Sequence, residues 1–206
     1  MIVDERIITF INSLDTKNSE ILEDIEREAL ADNVPIIRRE MQSFLKVLLM
    51  VKKPMRVLEV GTAVGFSALL MSEYVPEECA ITTIENYEKR IPIARQNFVR
   101  AGKEKKITLL EGDAMDVLKT LEGPYDFIFM DAAKGQYIHY LPEILRLLAK
   151  GGILVSDNVM QDGDVIESRF AVERRDRTIH ARMREYLYEL KHNDALVTSI
   201  IPLGDG

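Results

Sequence analysis

The chain has 206 residues, 47% of them hydrophobic, with a net charge of -7 at pH 7 and a single cysteine, Cys79. That is enough apolar material for one sizeable core, so a single domain over 1–206 is expected, with a helical region at 1–53 and a core at 54–206. An internal disulfide is excluded, indiscriminate nucleic-acid binding is disfavoured by the acidic balance, and no apolar run approaches the roughly 18 residues of a membrane span. The start MIVDERIITF also lacks the basic n-region and long apolar core of a signal peptide, so the chain is expected in the cytosol.

From residue 4 to 31, Ile7, Ile8, Ile11 and Leu14, then Ile21, Leu22, Ile25 and Ala29, fall at helical spacing with acids between them. The Asp/Thr/Asn/Ser cluster at 15–19 reads as a stop followed by a new N-cap. Asp32-Asn33-Val34-Pro35 breaks the pattern, Glu40 to Val51 resumes it as a mostly apolar helix, and Pro54 ends it. Beyond Pro54 strands and helices alternate, which predicts an α/β chain with a mostly parallel, doubly wound sheet of Rossmann-like type covered on both faces. Strands are predicted at Arg56–Val60, Ala80–Ile84, Ile107–Leu110, Tyr125–Met130, Ile153–Val155 and Val197–Leu203. The helices between and after them are predicted at Ser67–Tyr74, Tyr87–Ala101, Val117–Leu121, Tyr140–Leu148 and Arg174–Leu190.

The stretch MRVLEVGTAVGFSALLM, Met55 to Met71, reads as buried strand, glycine turn and apolar helix, the way a nucleotide-like cofactor is gripped at a strand's carboxyl end. Gly61 and Gly65 would let the backbone approach the ligand. Their G-x-x-x-G spacing is neither the dinucleotide fingerprint nor the P-loop, and Glu59 would repel a pyrophosphate and attract a cationic cofactor such as S-adenosylmethionine. An ordinary tight strand-to-helix turn would show the same residues.

Each of the first five strands delivers an acid at or just past its carboxyl end: Glu59, Glu85, Asp113, Asp131 and Asp157. In an open α/β sheet that edge is the ligand crevice. Glu85 stands 24 residues after Gly61, near the spacing at which an acid receives ribose hydroxyls, though a solvated strand-end acid would also sit there. Asp131, Asp157 and Asn158 offer three oxygen ligands from neighbouring strand ends, suited to magnesium, although Asp157-Asn158 equally suits a turn. Zinc is disfavoured, because His139, His180 and His192 are scattered and Cys79 is remote.

In this order and at these intervals, LEVGTAVGFSALLM, TIE, GDA, FIFMDAAKGQY and LVSDNV resemble the metal-dependent class of S-adenosylmethionine O-methyltransferases, to which the catechol and caffeoyl-coenzyme A enzymes belong. The resemblance covers about residues 34 to 206 and implies a seven-stranded Rossmann-like fold of the class I methyltransferase type. It assigns Glu59, Gly61 and Ser67 to the methionine moiety, Glu85 to the ribose and Asp113-Ala114 to the adenine, with Asp131 shared between cofactor and metal. It makes Asp131, Asp157 and Asn158 the metal ligands and Lys134 the residue beside the nucleophilic oxygen. A homodimer is implied too. Asn33-Val34-Pro35-Ile36, RRDRTIHARMREY and the ending IIPLGDG are similar, more narrowly, to the bacterial tRNA 5-hydroxyuridine methyltransferases. The family's pattern continues past the glycine that matches Gly206 into a final strand, which leaves open whether that strand is missing here or the sheet edge differs.

A magnesium ion would ease loss of the acceptor's proton and fix its oxygen, and Lys134 could take the proton if its pKa were lowered; a surface lysine is the plainer alternative. The core permits any vicinal oxygen pair, so the choice of substrate turns on its surroundings. Residues 169–184 hold six arginines, Arg169, Arg174, Arg175, Arg177, Arg182 and Arg184, against two acids. Such a cluster would suit a tRNA anticodon arm, and 5-hydroxyuridine at the wobble position is the expected acceptor. A solvated helix face paired with Glu173, Asp176 and Glu185, or a dimer contact, would also account for it. A small-molecule catechol-type enzyme is the competing reading, and a non-catalytic cofactor-binding protein a third.

Overall fold

Five segments rich in Val, Ile, Leu and Phe pair into one parallel sheet in the computed structural model, which describes residues 3–203. β1 (Arg56–Val60), β2 (Ala80–Glu85), β3 (Ile107–Glu111), β4 (Tyr125–Met130) and β5 (Leu148–Ser156) lie in the order β3-β2-β1-β4-β5. The chain therefore winds outward from β1 to β3, crosses back, and winds outward again from β4. The switch point falls between β1 and β4, where ligands of such sheets bind. Successive residues face opposite layers. Val57, Phe127 and Phe129 pack with α2 (Glu20–Ala31), α3 (Arg39–Lys52), α4 (Phe66–Glu73) and α5 (Ile91–Arg100). Leu58, Val60, Ile128 and Met130 pack with α6 (Ala114–Thr120), α7 (Tyr137–Leu147) and α8 (Arg177–His192). The first helix in the chain, α1 (Glu5–Ser13), is capped by Asp4 and buries none of its residues.

Several predicted elements shift, each for a local reason. α6 starts at Ala114 because the Asp113 carboxylate caps it, accepting from Met115 N at 2.9 Å. α7 ends at Leu147 and β5 begins at once, with a register irregularity where it meets β4 between Tyr125 and Phe127. α8 starts at Arg177, so Arg169, Arg174 and Arg175 lie in the turns before it.

The predicted sixth strand, Val197–Leu203, carries no ladder. Its backbone is tied to the end of α8 instead, with Lys191 Nζ donating to Thr198 O and Thr198 Oγ1 to Leu190 O, both at 2.8 Å. The segment walls an apolar cavity of about 1040 Å³ beside β5. Among the described residues the sheet thus has five strands, not the seven the resemblance implies, and the ending 204–206 lies outside them.

Gly61 sits at the switch point with φ +108°, and a Cβ there would overlap the Asp131 carbonyl. Gly102 is equally left-handed, φ +63°, but nothing lies within 4 Å of its would-be Cβ. Gly102→Ala should therefore cost about 1–2 kcal/mol, the usual left-handed penalty. Gly61→Ala should cost several times as much or abolish folding. Urea unfolding monitored by circular dichroism compares the two directly, and equal losses would contradict the close packing at Gly61.

Candidate active site

A cavity of about 600 Å³ opens at the carboxyl edge of the sheet over the β1/β4 switch point. On one side the chain leaving β1 is pinned by backbone bonds. Gly61 N and Thr62 N both donate to Ile84 O at 3.1 Å. Glu85, the predicted ribose acid, lines the cavity and also holds its wall together. Its Oε2 accepts from Ala63 N at 2.7 Å, and its Oε1 from Asn86 N at 3.0 Å and Tyr87 N at 2.9 Å. Gly61, Ser67 and Ala114 line the cavity too, whereas Asp113 spends its carboxylate on capping α6.

Glu59 is placed differently from the expectation of a ligand-facing acid. It has no exposed surface, is not among the lining residues, and points to Thr83, its partner across the β1–β2 ladder. Thr83 Oγ1 donates to Glu59 Oε2 at 2.5 Å and lies 2.6 Å from Thr62 Oγ1. When Glu59 is ionised, Thr83 gives its one proton to the carboxylate and Thr62 donates to Thr83. Glu59 Oε1 has no hydrogen-bond partner. Burial pushes the carboxyl up to about 7, opposed by the Ser67 and Thr83 hydroxyls and aided by the charges of Asp131 and Glu85. Thr62 and Thr83 were not singled out from the sequence. A parallel β1–β2 pairing could have found Thr83, two residues before Glu85, opposite Glu59, two before Gly61.

On the other side Asp131, Lys134, Asp157 and Asn158 all line the cavity, so four predicted residues come together there. Asp131 follows β4, its N–H bonded to Val60 O at 2.9 Å, and Asp157 follows β5, its N–H bonded to Met130 O at 2.9 Å. These bonds continue the ladder past the strand ends and keep the two acids level. Asn158 adopts a left-handed backbone, φ 54°, and its buried Oδ1 has no hydrogen-bond partner. An orphaned carbonyl oxygen beside two carboxylates fits a hard divalent cation, which would satisfy it. Among the described residues no three Asp, Glu, His or Cys side chains form such a group, so the donor set is two acids and an amide.

Lys134 Nζ is saturated as an ammonium. Its three protons go to Asp131 Oδ1 at 2.9 Å, Tyr137 Oη at 3.1 Å and Asp157 O at 3.2 Å. Burial disfavours the charge, but Tyr137, Asp131 and Asp157 outweigh it, and the pKa lies above the ordinary lysine value. That direction belongs to the metal-free chain, in which the charges facing Lys134 are acids.

Four of the six arginines have partners within the chain. Arg182 Nη1 donates to Gly135 O at 3.1 Å, Arg184 Nη1 to Val165 O at 2.9 Å, and Arg177 Nε to Val172 O at 3.3 Å. Arg175 pairs with Glu173 at 3.0 Å and Asp176 at 3.4 Å. Arg169, Arg174, Arg175 and Arg184 are exposed. Pro35, Ile36, Ile37 and Arg38 also line the cavity; of these the sequence had marked only Pro35 and Ile36.

A family model described as O-methyltransferase matches residues 12–206. A catechol O-methyltransferase of Niastella koreensis is 35% identical over 128 residues, covering 60% of this chain and 58% of its own. One from Mycobacterium tuberculosis is 36% identical over 112 residues, 54% of this chain and 51% of its own, so the chain spans little over half of either enzyme. Caffeoyl-CoA O-methyltransferase 2 of Populus trichocarpa is 33% identical over 180 residues, covering 79% of this chain and 69% of its own. Among solved structures, the SAH-bound methyltransferase PaMTH1 of Podospora anserina matches with a TM-score of 0.88 at 27% identity, covering 98% of this chain and 91% of its own. The O-methyltransferase from Bacillus cereus in complex with SAH matches at 0.81 and 25%, covering 92% and 86%.

The buried Glu59 gives a pH-dependent stability. Its folded pKa of about 7 is raised from 4.5, so its contribution is fully present below 4.5 and lost as pH rises through 7. Glu59→Gln keeps an oxygen for Thr83 and removes the titration. Relative to the parent, the variant should gain stability from about pH 5 to pH 7 and level off above it in urea melts of the ligand-free chain. A difference that stays flat with pH would show that Glu59 is ionised throughout.

Proposed function

The chain belongs to the O-methyltransferase family, and from that premise we propose that it moves the methyl group of S-adenosylmethionine to one oxygen of a small aromatic vicinal diol, a substrate of the catechol or caffeoyl-CoA class. The observation that carries the reading is the meeting of Asp131, Asp157, Asn158 and Lys134 with Glu85 and the Gly61–Gly65 turn in one cavity. The names of the relatives support the same class. A non-catalytic binding protein would have no use for this donor set.

In the proposed reaction the acceptor hydroxyl gives up its proton to water, and the carbon–sulfur bond of the sulfonium breaks as a carbon–oxygen bond forms, leaving a thioether. Asp131, Asp157 and Asn158 would hold a magnesium ion, which when bound eases that proton loss and fixes two adjacent oxygens. Glu85 and the Gly61–Gly65 turn hold the cofactor. Lys134, held by Asp131, Tyr137 and the Asp157 carbonyl, sets its charge beside the ionised oxygen. Pro35, Ile36 and Ile37 offer an apolar wall for a flat ring, and Arg38 a charged edge to it.

The narrower reading is methylation of 5-hydroxyuridine at the tRNA wobble position, with the exposed Arg169, Arg174, Arg175 and Arg184 as its phosphate contacts. Labelled S-adenosylmethionine with a catechol panel on one side and tRNA lacking the modification on the other separates the two. Label should enter the catechols, stop in excess chelator and return with magnesium. Label in tRNA alone would instead establish the RNA reading, and full activity in chelator would remove the metal.

We also propose a homodimer through the N-terminal helices. Ile7, Phe10, Ile11 and Leu14 make an exposed apolar stripe on α1, and Val47, Met50 and Val51 a second on α3, against which α1 packs. Apolar faces of this kind mark association surfaces. Phe10→Glu should shift sedimentation from dimer to monomer; an unchanged sedimentation coefficient would place any dimer contact elsewhere.

A further inference from the structure

Tyr137 closes the run DAAKGQY and starts α7, and the proposed chemistry leaves it without a task. Its side chain is fully buried and its ring meets Tyr186 edge-on, 5.5 Å between centroids. The hydroxyl has one proton and two lone pairs, and all are used. It donates to Met130 O at 2.9 Å, with Asp157 O farther off at 3.4 Å, and it accepts from Ala132 N at 3.2 Å and Lys134 Nζ at 3.1 Å. Met130 and Ala132 flank Asp131. One oxygen thus grips the chain on both sides of Asp131, steers Lys134, and reaches the peptide of Asp157.

We propose that Tyr137 is a positioning residue whose hydroxyl sets Asp131, Lys134 and the Asp157 peptide in the arrangement the reaction uses. The proposal rests on the function proposed above. A phenylalanine keeps the ring and its packing but leaves Lys134 one acceptor short and Ala132 N without its partner. Groups that orient metal ligands in this way carry a large share of the affinity: losing one typically costs about 10- to 100-fold in binding or activity. Arg182 supports the same turn from α8 through Gly135 O at 3.1 Å, so the loop is held from two directions.

The test compares the full chain with Tyr137→Phe and Tyr186→Phe. Tyr186 is a control of matched burial, whose hydroxyl lies 2.6 Å from Ser156 Oγ and makes no bond to residues 131–134. Calorimetry without substrate reads Mn2+ and S-adenosylhomocysteine affinity, and steady-state assays read kcat and KM. For Tyr137→Phe, Mn2+ binding should weaken at least tenfold and kcat fall at least tenfold, while S-adenosylhomocysteine binding stays within threefold. Tyr186→Phe should leave Mn2+ binding within threefold even where its melting temperature drops. Unchanged Mn2+ affinity and kcat in Tyr137→Phe would overturn the proposal, and so would equal Mn2+ losses in both variants. If the parent takes up no Mn2+ and turns over in chelator, the metal reading fails on its own. Tyr137 is then decided by kcat: a tenfold loss at unchanged S-adenosylhomocysteine affinity upholds its role, and no loss refutes it.

Discussion

Gly61 has no side chain because the Asp131 carbonyl stands where one would go, and the geometry of the cavity follows from that contact. Any larger residue would push the turn after β1 away from the chain leaving β4. With glycine there, the turn that begins at Gly61 and the loop that carries Asp131 and Lys134 share one cavity wall. The ladder bonds Asp131 N to Val60 O and Asp157 N to Met130 O, both 2.9 Å, carry the register one residue beyond the strands. Side chains that follow β4 and β5 therefore emerge at the same height. A positive φ at Gly61 makes the close approach possible, and the parallel pairing makes it productive.

Five acids at one edge of a sheet would repel one another, and the chain manages this by giving most of them local partners. Glu85 takes three backbone N–H groups, Asp113 caps a helix, and Asp131 takes the Lys134 ammonium. Glu59 is the exception. Its Oε1 has no hydrogen-bond partner, and its removal from water, more than the neighbouring charges, lifts its pKa towards neutrality against the Ser67 and Thr83 hydroxyls. A buried acid that is half protonated near neutral pH costs less than a buried charge, which is how the fold tolerates it under the cofactor turn.

The strands and their strand-end acids were legible because both follow from short-range rules: apolar runs bounded by turns, and polar residues where a strand leaves the sheet. What the sequence did not reveal were the pairings that depend on the third dimension. Val197–Leu203 has strand-like residues but its carbonyl and hydroxyl partners lie on α8, so no ladder forms. Composition does not say where a guanidinium points, and the bonds of Arg177, Arg182 and Arg184 to backbone carbonyls appear only in the folded chain. Glu59 was placed in the ligand crevice by its distance from Gly61, yet it lies inside β1, where alternate residues turn away from that edge. Lys134 stands three residues after Asp131 in the sequence, but its bonds to Tyr137 and to the Asp157 carbonyl depend on how the loop folds.

The same distribution of bonds bears on how the proposed reaction would be accelerated. An oxyanion and a sulfonium neutralise each other as the methyl group moves, so a strong field in the cavity would stabilise the starting pair as much as the transition state. Charges aimed into the cavity would gain little rate. Fixing the two reactants in line gains more, up to about 7–11 kcal/mol when the geometry is ideal. The polar atoms around this cavity are spent accordingly. Thr62, Thr83, Glu85 and Tyr137 bond to the chain itself and set the shape of the two walls, and even the Lys134 ammonium is anchored on three sides. A site built to hold two loops at a fixed separation, with few unpartnered charges, is what a charge-neutralising transfer requires.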